Sequence, residues 1–556
     1  MIFEIPSQCV PCMLLALVVL ICAKLLQYVA HIGRSKSLRD RATKKREKEQ
    51  AFIQRQLGTI CKELSEEKVK SVLSLNGPQL VDEIKGKQLS PSLATKIYVY
   101  NACKVTKKLN CITEIIKDYA ETAEKLEAKN ATDLPLYGLP VSIKECLETK
   151  GAPSTVGIAS YLDNIATSDC VLAQVLKHCG AVPFAKTNFS QMILSFESSN
   201  PIFGETSNPR NPDFGPGGSS SGEGSIVGSG ASVLGFGTDT GGSIRGPSHL
   251  CGICGFKPTL NRLSHSGLVP PYCMTSVTAT VGPMARDVDT IVMAMRALCC
   301  DKMFELDPHV IPVKFRDEMY NNKKPLRIGY FYDNGYVKPV PACQRVVKMA
   351  KEALEKAGHT LVSYTVPDIE DIMDAASTGL WTMPWIVRKI YAFLLSLKSP
   401  RMAKDLMAYG GGGDTSTYNL WQVRMKIEMY KAKFWSEWRE KYKIDAVICP
   451  TYPLVACKKG NLVNTTGLMT YTVLFNTVNG PAGTVPVSKV TQKDIDDLKD
   501  FQGHYGDDWD EHNKKATLQS INMPIGVQCA SYPFKEEVCL RLMKEVETLL
   551  PMKKDQ

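Results

Sequence analysis

Three short segments of this 556-residue chain carry the residue types of a hydrolase. Residues 139–145 read Leu-Pro-Val-Ser-Ile-Lys-Glu and bring Lys144. Residues 215–224 read Gly-Pro-Gly-Gly-Ser-Ser-Ser-Gly-Glu-Gly and bring Ser219. Residues 237–245 read Gly-Thr-Asp-Thr-Gly-Gly-Ser-Ile-Arg and bring Ser243. A serine hydroxyl is a weak nucleophile at its free pKa and needs a base. Histidine is the usual one, but the chain has only eight, and the nearest, His249 and His265, sit in no motif. A lysine can serve instead if burial or nearby positive charge leaves it neutral. Lys144 follows Val141-Ser142-Ile143, an apolar run able to carry it inside. Gly241 and Gly242, lacking side chains, let backbone N–H groups face a substrate oxygen, which is how an oxyanion hole is built.

Other readings of the glycine-serine stretch fail on context. A flexible linker is opposed by the apolar residues Ile226, Val227, Val233, Leu234 and Phe236. A phosphate loop would end in Gly-Lys-Ser/Thr, which is missing. Residues 218–222 match G-x-S-x-G with Ser220 as nucleophile, but that elbow follows an apolar strand. Asn208-Pro-Arg-Asn-Pro-Asp-Phe-Gly-Pro, which precedes it, cannot form one.

Together the three segments resemble the amidase signature family, and within it the membrane-bound fatty acid amide hydrolases. The resemblance spans residues 90–550, is densest at 135–300, and returns at 445–450, 479–487 and 524–529. It implies an α/β fold with a central mixed β-sheet surrounded by helices. It implies a Ser-Ser-Lys triad, with Ser243 as nucleophile, Ser219 as proton shuttle on a cis Gly–Ser peptide, and Lys144 as base. The N–H groups of Thr240, Gly241, Gly242 and Ser243 would hold the oxyanion. Ser220 would be a hydrogen-bond support, and Asp239 and Arg245 an ion pair. Ser221 stands where the family commonly has glycine. Ile193 and Leu194, with Phe196, align with residues lining the family's acyl channel. No cofactor and no metal are implied; a homodimer is.

The elements that must position these residues can be read from periodicity. Asp169 could cap a helix with apolar positions Val171, Leu172, Val175 and Leu176, with Gly180 just past its end. Residues 181–185 look extended. Residues 341–357 form a helix pattern before Gly358, residues 360–364 are extended again, and 446–449 make a short strand stopped by Pro450. Such alternation argues for an α/β body with a mixed or parallel sheet. The hydrophobic share of 44% and charged share of 22% are those of a folded globular chain. The cysteines, 19 in all, show no repeated framework, and Cys251 and Cys254 read as buried free thiols.

Ahead of the body, residues 10–30 are apolar but for Lys24, long enough for a transmembrane helix. Arg34, Lys36, Arg39, Arg41, Lys44, Lys45, Arg46 and Lys48 follow, whereas residues 1–9 carry only Glu4. The positive-inside rule then puts everything after residue 31 in the cytosol. We therefore expect an anchor at 10–30, a basic helical stalk at 31–90 and a catalytic domain at 91–556. The expected setting is an intracellular membrane, the endoplasmic reticulum in the first place. A bilayer seat favours lipid amides such as N-acyl ethanolamines and fatty acid primary amides over soluble amides, and leaves no role for nucleic acid. Residues 385–404, where apolar side chains alternate with cations, could form a cap dipping into lipid. Two alternatives remain open: an amidase or esterase of small acyl substrates, and an inactive membrane scaffold on the same fold.

Overall fold

The computed structural model describes residues 10–61, 63–269, 277, 279–370, 385–397, 399–409, 416–462 and 466–552, with the backbone alone over 10–31. Its centre is an 11-stranded mixed sheet. In chain order the strands are β1 (Ile112–Ile115), β2 (Pro140–Lys144), β3 (Val182–Thr187), β4 (Ser199–Asn200), β5 (Gly204–Glu205), β6 (Leu234–Asp239), β7 (Cys254–Lys257), β8 (Thr280–Ala285), β9 (Arg327–Tyr330), β10 (Thr360–Ser363), β11 (Ala446–Pro450), β12 (Ala482–Lys489) and β13 (Pro524–Ser531). The sheet runs β1-β3-β2-β6-β8-β7-β12-β13-β11-β9-β10, while β4 and β5 make a separate hairpin. Strands β3, β2 and β6 are parallel, with Val141 opposite Leu234 and Ile143 opposite Phe236. Strand β8 then turns antiparallel to β6, and the pairs from β7 to β11 are antiparallel too.

Strands β2, β3, β6, β7, β8 and β11 are buried at every residue. Helices packed against the sheet bury them, polar residues such as Lys144 and Asp239 included. One large core of Leu, Ile, Val and Phe side chains lies between the sheet and its helices, and a second, aromatic-rich cluster gathers Tyr364, Phe434, Trp435 and Trp438.

The periodic elements appear close to their expected bounds: a helix Val171–His178, a helix Pro341–Lys356, and strands β3, β10 and β11. The expected Asp169 cap does not form. Cys170 occupies the N-cap position. The Asp169 carboxylate instead accepts from Lys150 N at 2.8 Å and pairs with Lys177 at 2.9 Å. An ammonium about two turns on and a loop amide compete better for this carboxylate than the helix amides do.

Residues 10–60 belong to one long helix, Val10–Ile60. Its later half lies on the body: Ala42, Ile53 and Ile60 are buried, and Lys45 bridges Glu49 and Glu114 of edge strand β1 at 2.8 and 2.5 Å. The expected anchor falls in its first part, whose side chains lie outside the described residues. Among the described residues no helix is long and apolar enough to cross a membrane, so the transmembrane expectation finds no support here.

Candidate active site

Lys144 is the last residue of β2, and Thr238 lies near the end of its parallel neighbour β6. The carboxyl ends of parallel strands are where α/β sheets open onto loops and where their sites lie. Lys144 is fully buried and donates to two hydroxyls, Ser219 Oγ at 2.7 Å and Thr238 Oγ1 at 2.8 Å. No carboxylate lies within ion-pair distance of it among the described residues. Burial therefore dominates and pushes the ammonium down to about 8, against the opposing influence of Cys146, Asp239 and Glu223. About a tenth of Lys144 is then neutral at pH 7, against about one part in a few thousand for an ordinary lysine, and it is already in contact with a serine hydroxyl.

Ser219 sits on the loop that enters the helix Ser221–Gly228, and the Gly218–Ser219 peptide is cis. Gly218 packs against the carbonyl of Ser195, leaving no room for a side chain. That contact brings the segment of Ile193 and Leu194, both half-buried, beside the Ser219 loop. Ile193 itself holds φ +64°, a backbone region that costs a β-branched residue strain. Phe196 follows and meets Tyr452 edge-on, ring centroids 5.8 Å apart. Ser220 behaves as the expected support: its Oγ donates to Thr238 O at 3.2 Å, and its N–H to Ser243 O at 3.2 Å. These bonds tie the Ser219 loop to β6 on one side and to Ser243 on the other. Ser221 Oγ is buried and unpartnered.

Ser243 lies in the loop between β6 and the helix Arg245–Cys251. It is 9% exposed, against 1% for Ser219 and none for Lys144. Its hydroxyl makes no hydrogen bond to the protein among the described residues. Of the three candidate residues, the one expected to attack is thus the one left open.

The loop is wound around Asp239. This carboxylate accepts from the N–H groups of Gly242 at 2.8 Å, Ile244 at 3.1 Å and Arg245 at 3.4 Å, and from the Arg245 guanidinium at 2.8 and 3.0 Å. Burial alone would raise Asp239, but the Arg245 charge and hydrogen bonds, with Asn476, hold it far below the usual carboxylate range. The expected ion pair is present, and it is a loop clamp. Of the four amides expected to hold the oxyanion, the Gly242 N–H is engaged by Asp239, while those of Thr240, Gly241 and Ser243 have no protein acceptor among the described residues. Gly242 is needed for shape instead: its φ is +124°, and a side chain there would strike Thr472.

Several partners lie outside the three starting segments. The helix Thr470–Thr477 closes over the loop. Thr472 Oγ1 donates to Gly241 O at 2.6 Å, and Asn476 Nδ2 to Asp239 Oδ1 at 2.9 Å. Gln528 on β13 accepts from Arg245 at 2.8 Å. Beneath Lys144, Glu223 accepts from Ser142 Oγ at 2.6 Å and Thr187 Oγ1 at 2.9 Å. Burial lifts its carboxyl to about 8, so it carries a proton at neutral pH. Of these, Gln528 lies in the 524–529 stretch and Thr238 and Glu223 within the quoted motifs, which is the signal that pointed near them. Nothing local marks Thr472 or Asn476.

Comparison with known proteins agrees with this geometry. The "Amidase" family model matches residues 94–540. Fatty-acid amide hydrolase 1 of Sus scrofa is 39% identical over 508 residues, 86% of each chain. Fatty acid amide hydrolase 1 of Caenorhabditis elegans is 34% identical over 510 residues, 85% of this chain and 88% of its own. A solved fatty acid amide hydrolase superposes with TM-score 0.75 at 24% identity, covering 92% of this chain and 91% of its own, which shows the shared fold. Its sheet, its buried lysine against a serine and its match over most of its length lead to one conclusion: the chain belongs to the amidase family and is an amide-hydrolysing enzyme.

Proposed function

We propose that this enzyme is a membrane-bound serine hydrolase that cleaves fatty acid amides, N-acyl ethanolamines and primary amides among them, to free fatty acid and amine. The observation that carries the mechanism is the 2.7 Å contact between buried Lys144 Nζ and Ser219 Oγ. Neutral Lys144 accepts the Ser219 proton as Ser219 accepts that of Ser243. Ser243 Oγ attacks the amide carbonyl, and the N–H groups of Thr240, Gly241 and Ser243 receive the developing oxyanion. The C–N bond breaks as Ser219, reprotonated by the lysinium, hands its proton to the leaving nitrogen. Water then repeats the cycle on the acyl-enzyme and releases the fatty acid. An amine is a poor leaving group unless protonated, so a relay that returns the proton suits amides in particular.

The lipid substrate rests on two further features. Residues 10–30 form an apolar helical stretch ahead of a basic one. The helix Trp385–Ser396 is inverted for a soluble protein: Arg388 and Ala392 are buried, while Ile386, Ile390, Phe393 and Leu394 each expose more than half their surface. Such a face suits the acyl boundary of a bilayer. A cytosol-facing body on the endoplasmic reticulum and a homodimer complete the proposal, on charge asymmetry and resemblance respectively.

The test is hydrolysis of N-arachidonoyl and N-palmitoyl ethanolamine by membranes carrying the chain, beside Ser243→Ala, with fluorophosphonate labelling of the same samples. Turnover and label both lost in the variant are expected. Label without lipid turnover would keep the nucleophile and discard the lipid substrate.

A further inference from the structure

Outside the site, the reaction leaves unused a pair of cysteines at the meeting of two helix ends, one of which reaches solvent. Cys179 closes the helix Val171–His178, and Cys300 follows the helix Val288–Leu298. The two helix ends meet: Cys179 Sγ lies 3.4 Å from Ala297 O, in the last turn before Cys300. Cys300 lies three residues beyond Ala297, so the two cysteine side chains flank the same junction and interact across it. Cys179 is buried, whereas Cys300 reaches solvent.

The rest of the thiols set the contrast. Burial pushes Cys103, Cys111, Cys170 and Cys299 up to about 12, which keeps them protonated and inert. Cys300 moves the other way. The Cys179 thiol outweighs its desolvation, and the N–H groups of Met303 and Lys302, with His178, add to the effect. The same contact, with burial, raises Cys179, so Cys179 keeps the proton and Cys300 gives its up.

We infer that Cys300 and Cys179 form a hydroperoxide-reactive dithiol, with Cys300 as the attacking sulfur and Cys179 as the resolving one. With hydrogen peroxide, an S–O bond forms at the Cys300 thiolate as the O–O bond breaks. The departing hydroxide takes a proton to become water; sulfur is oxidised and peroxide reduced. Cys179 sulfur then attacks the sulfenic acid. The S–S bond forms, the S–O bond breaks, and the hydroxyl leaves with the Cys179 proton as a second water. The product ties the end of one helix to the end of another and closes the stretch of chain that carries Ser219 and Ser243. Neither cysteine touches those residues, so the inference does not depend on the proposed substrate.

The test uses the full chain in membranes at neutral pH, treated with hydrogen peroxide and dimedone, then digested for mass spectrometry. Wild type is expected to give the 179–300 cross-linked peptide pair, lighter by two hydrogens. Cys179→Ser should instead accumulate the dimedone adduct at Cys300, and Cys300→Ser should give neither product. Fluorophosphonate labelling confirms that each variant is folded. Iodoacetamide labelling of untreated wild type needs no variant: Cys300 should react about tenfold faster than Cys61, an exposed thiol with no thiol beside it. Equal labelling of Cys300 and Cys61, or no 179–300 cross-link in oxidised wild type, overturns the inference.

Discussion

Lys144 and Lys257, two of the buried lysines in this fold, share the loss of water, and only one of the two is placed to do chemistry. Lys144 ends β2 and Lys257 ends β7, each essentially unexposed. Burial pushes Lys144 down to about 8 and Lys257 to about 7, the latter helped by the Arg245 charge. On titration alone Lys257 is the better base at neutral pH. The contacts reverse that order. Lys257 Nζ donates to Pro258 O at 2.9 Å, a carbonyl with no proton to give. Lys144 donates to two hydroxyls, one of them on the loop that touches Ser243. A depressed pKa makes a base available, but the atom it touches decides whether the base has a substrate.

The comparison can be broken most directly by removing each lysine. Lys144→Ala is expected to lower kcat by about 10⁴-fold with circular dichroism unchanged, the scale for losing a member of a catalytic triad. Lys257→Met should leave kcat per folded molecule within a few-fold. Equal losses in both variants would mean that burial, and not contact with Ser219, selects the base.

Next in size is the pH profile. On the proposed mechanism Lys144 acts in its neutral form, whose fraction grows as pH rises through its folded pKa. The rate kcat/KM should therefore climb about tenfold per pH unit well below 8 and flatten above it, about fiftyfold between pH 6 and 8. A profile already flat from pH 6 would show that Lys144 is not the titrating base.

A smaller effect belongs to Thr238→Val, which removes one of the two hydroxyls on Lys144 Nζ. A hydrogen bond to a charged group is worth about 1.5 kcal/mol or more, so a loss of about tenfold in kcat is expected with KM unchanged. A rise in KM alone would place Thr238 in substrate binding.

The smallest is Glu223→Gln. Glu223 already carries a proton over the acid limb, so an amide there changes no charge and the limb should stay in place with the plateau rate retained. A limb moved to lower pH would show that Glu223 is ionised and holds the Lys144 pKa up.

Legibility in the sequence followed the range of the interactions. Lys144, Ser219 and Ser243 were readable because each lies in a local motif, and the strands around them because apolar runs mark buried elements. Asp239 and Arg245 were readable as a pair because they sit within one loop. Thr472 and Asn476 were not, since only the packing of a distant helix brings them to Gly241 and Asp239. Asp169 shows a local limit as well: a good capping residue was claimed by Lys177 and a loop amide, a competition the pattern of apolar residues does not record. The bond from the Gly242 amide to Asp239 is likewise not marked by the glycine pair, because it depends on how the loop folds back on that carboxylate.

The clamp on Arg245 also bears on the moment at which the enzyme comes alive during synthesis. Arg245 reaches Thr472 and Gln528, partners 227 and 283 residues further along the chain. A ribosome has delivered Lys144 and both serines long before either partner emerges, and domains form as their distant contacts become available. The nascent polypeptide thus carries a full set of reactive groups in an unfinished cradle. Hydrolysis is expected to begin only once the last strands of the sheet have left the exit tunnel.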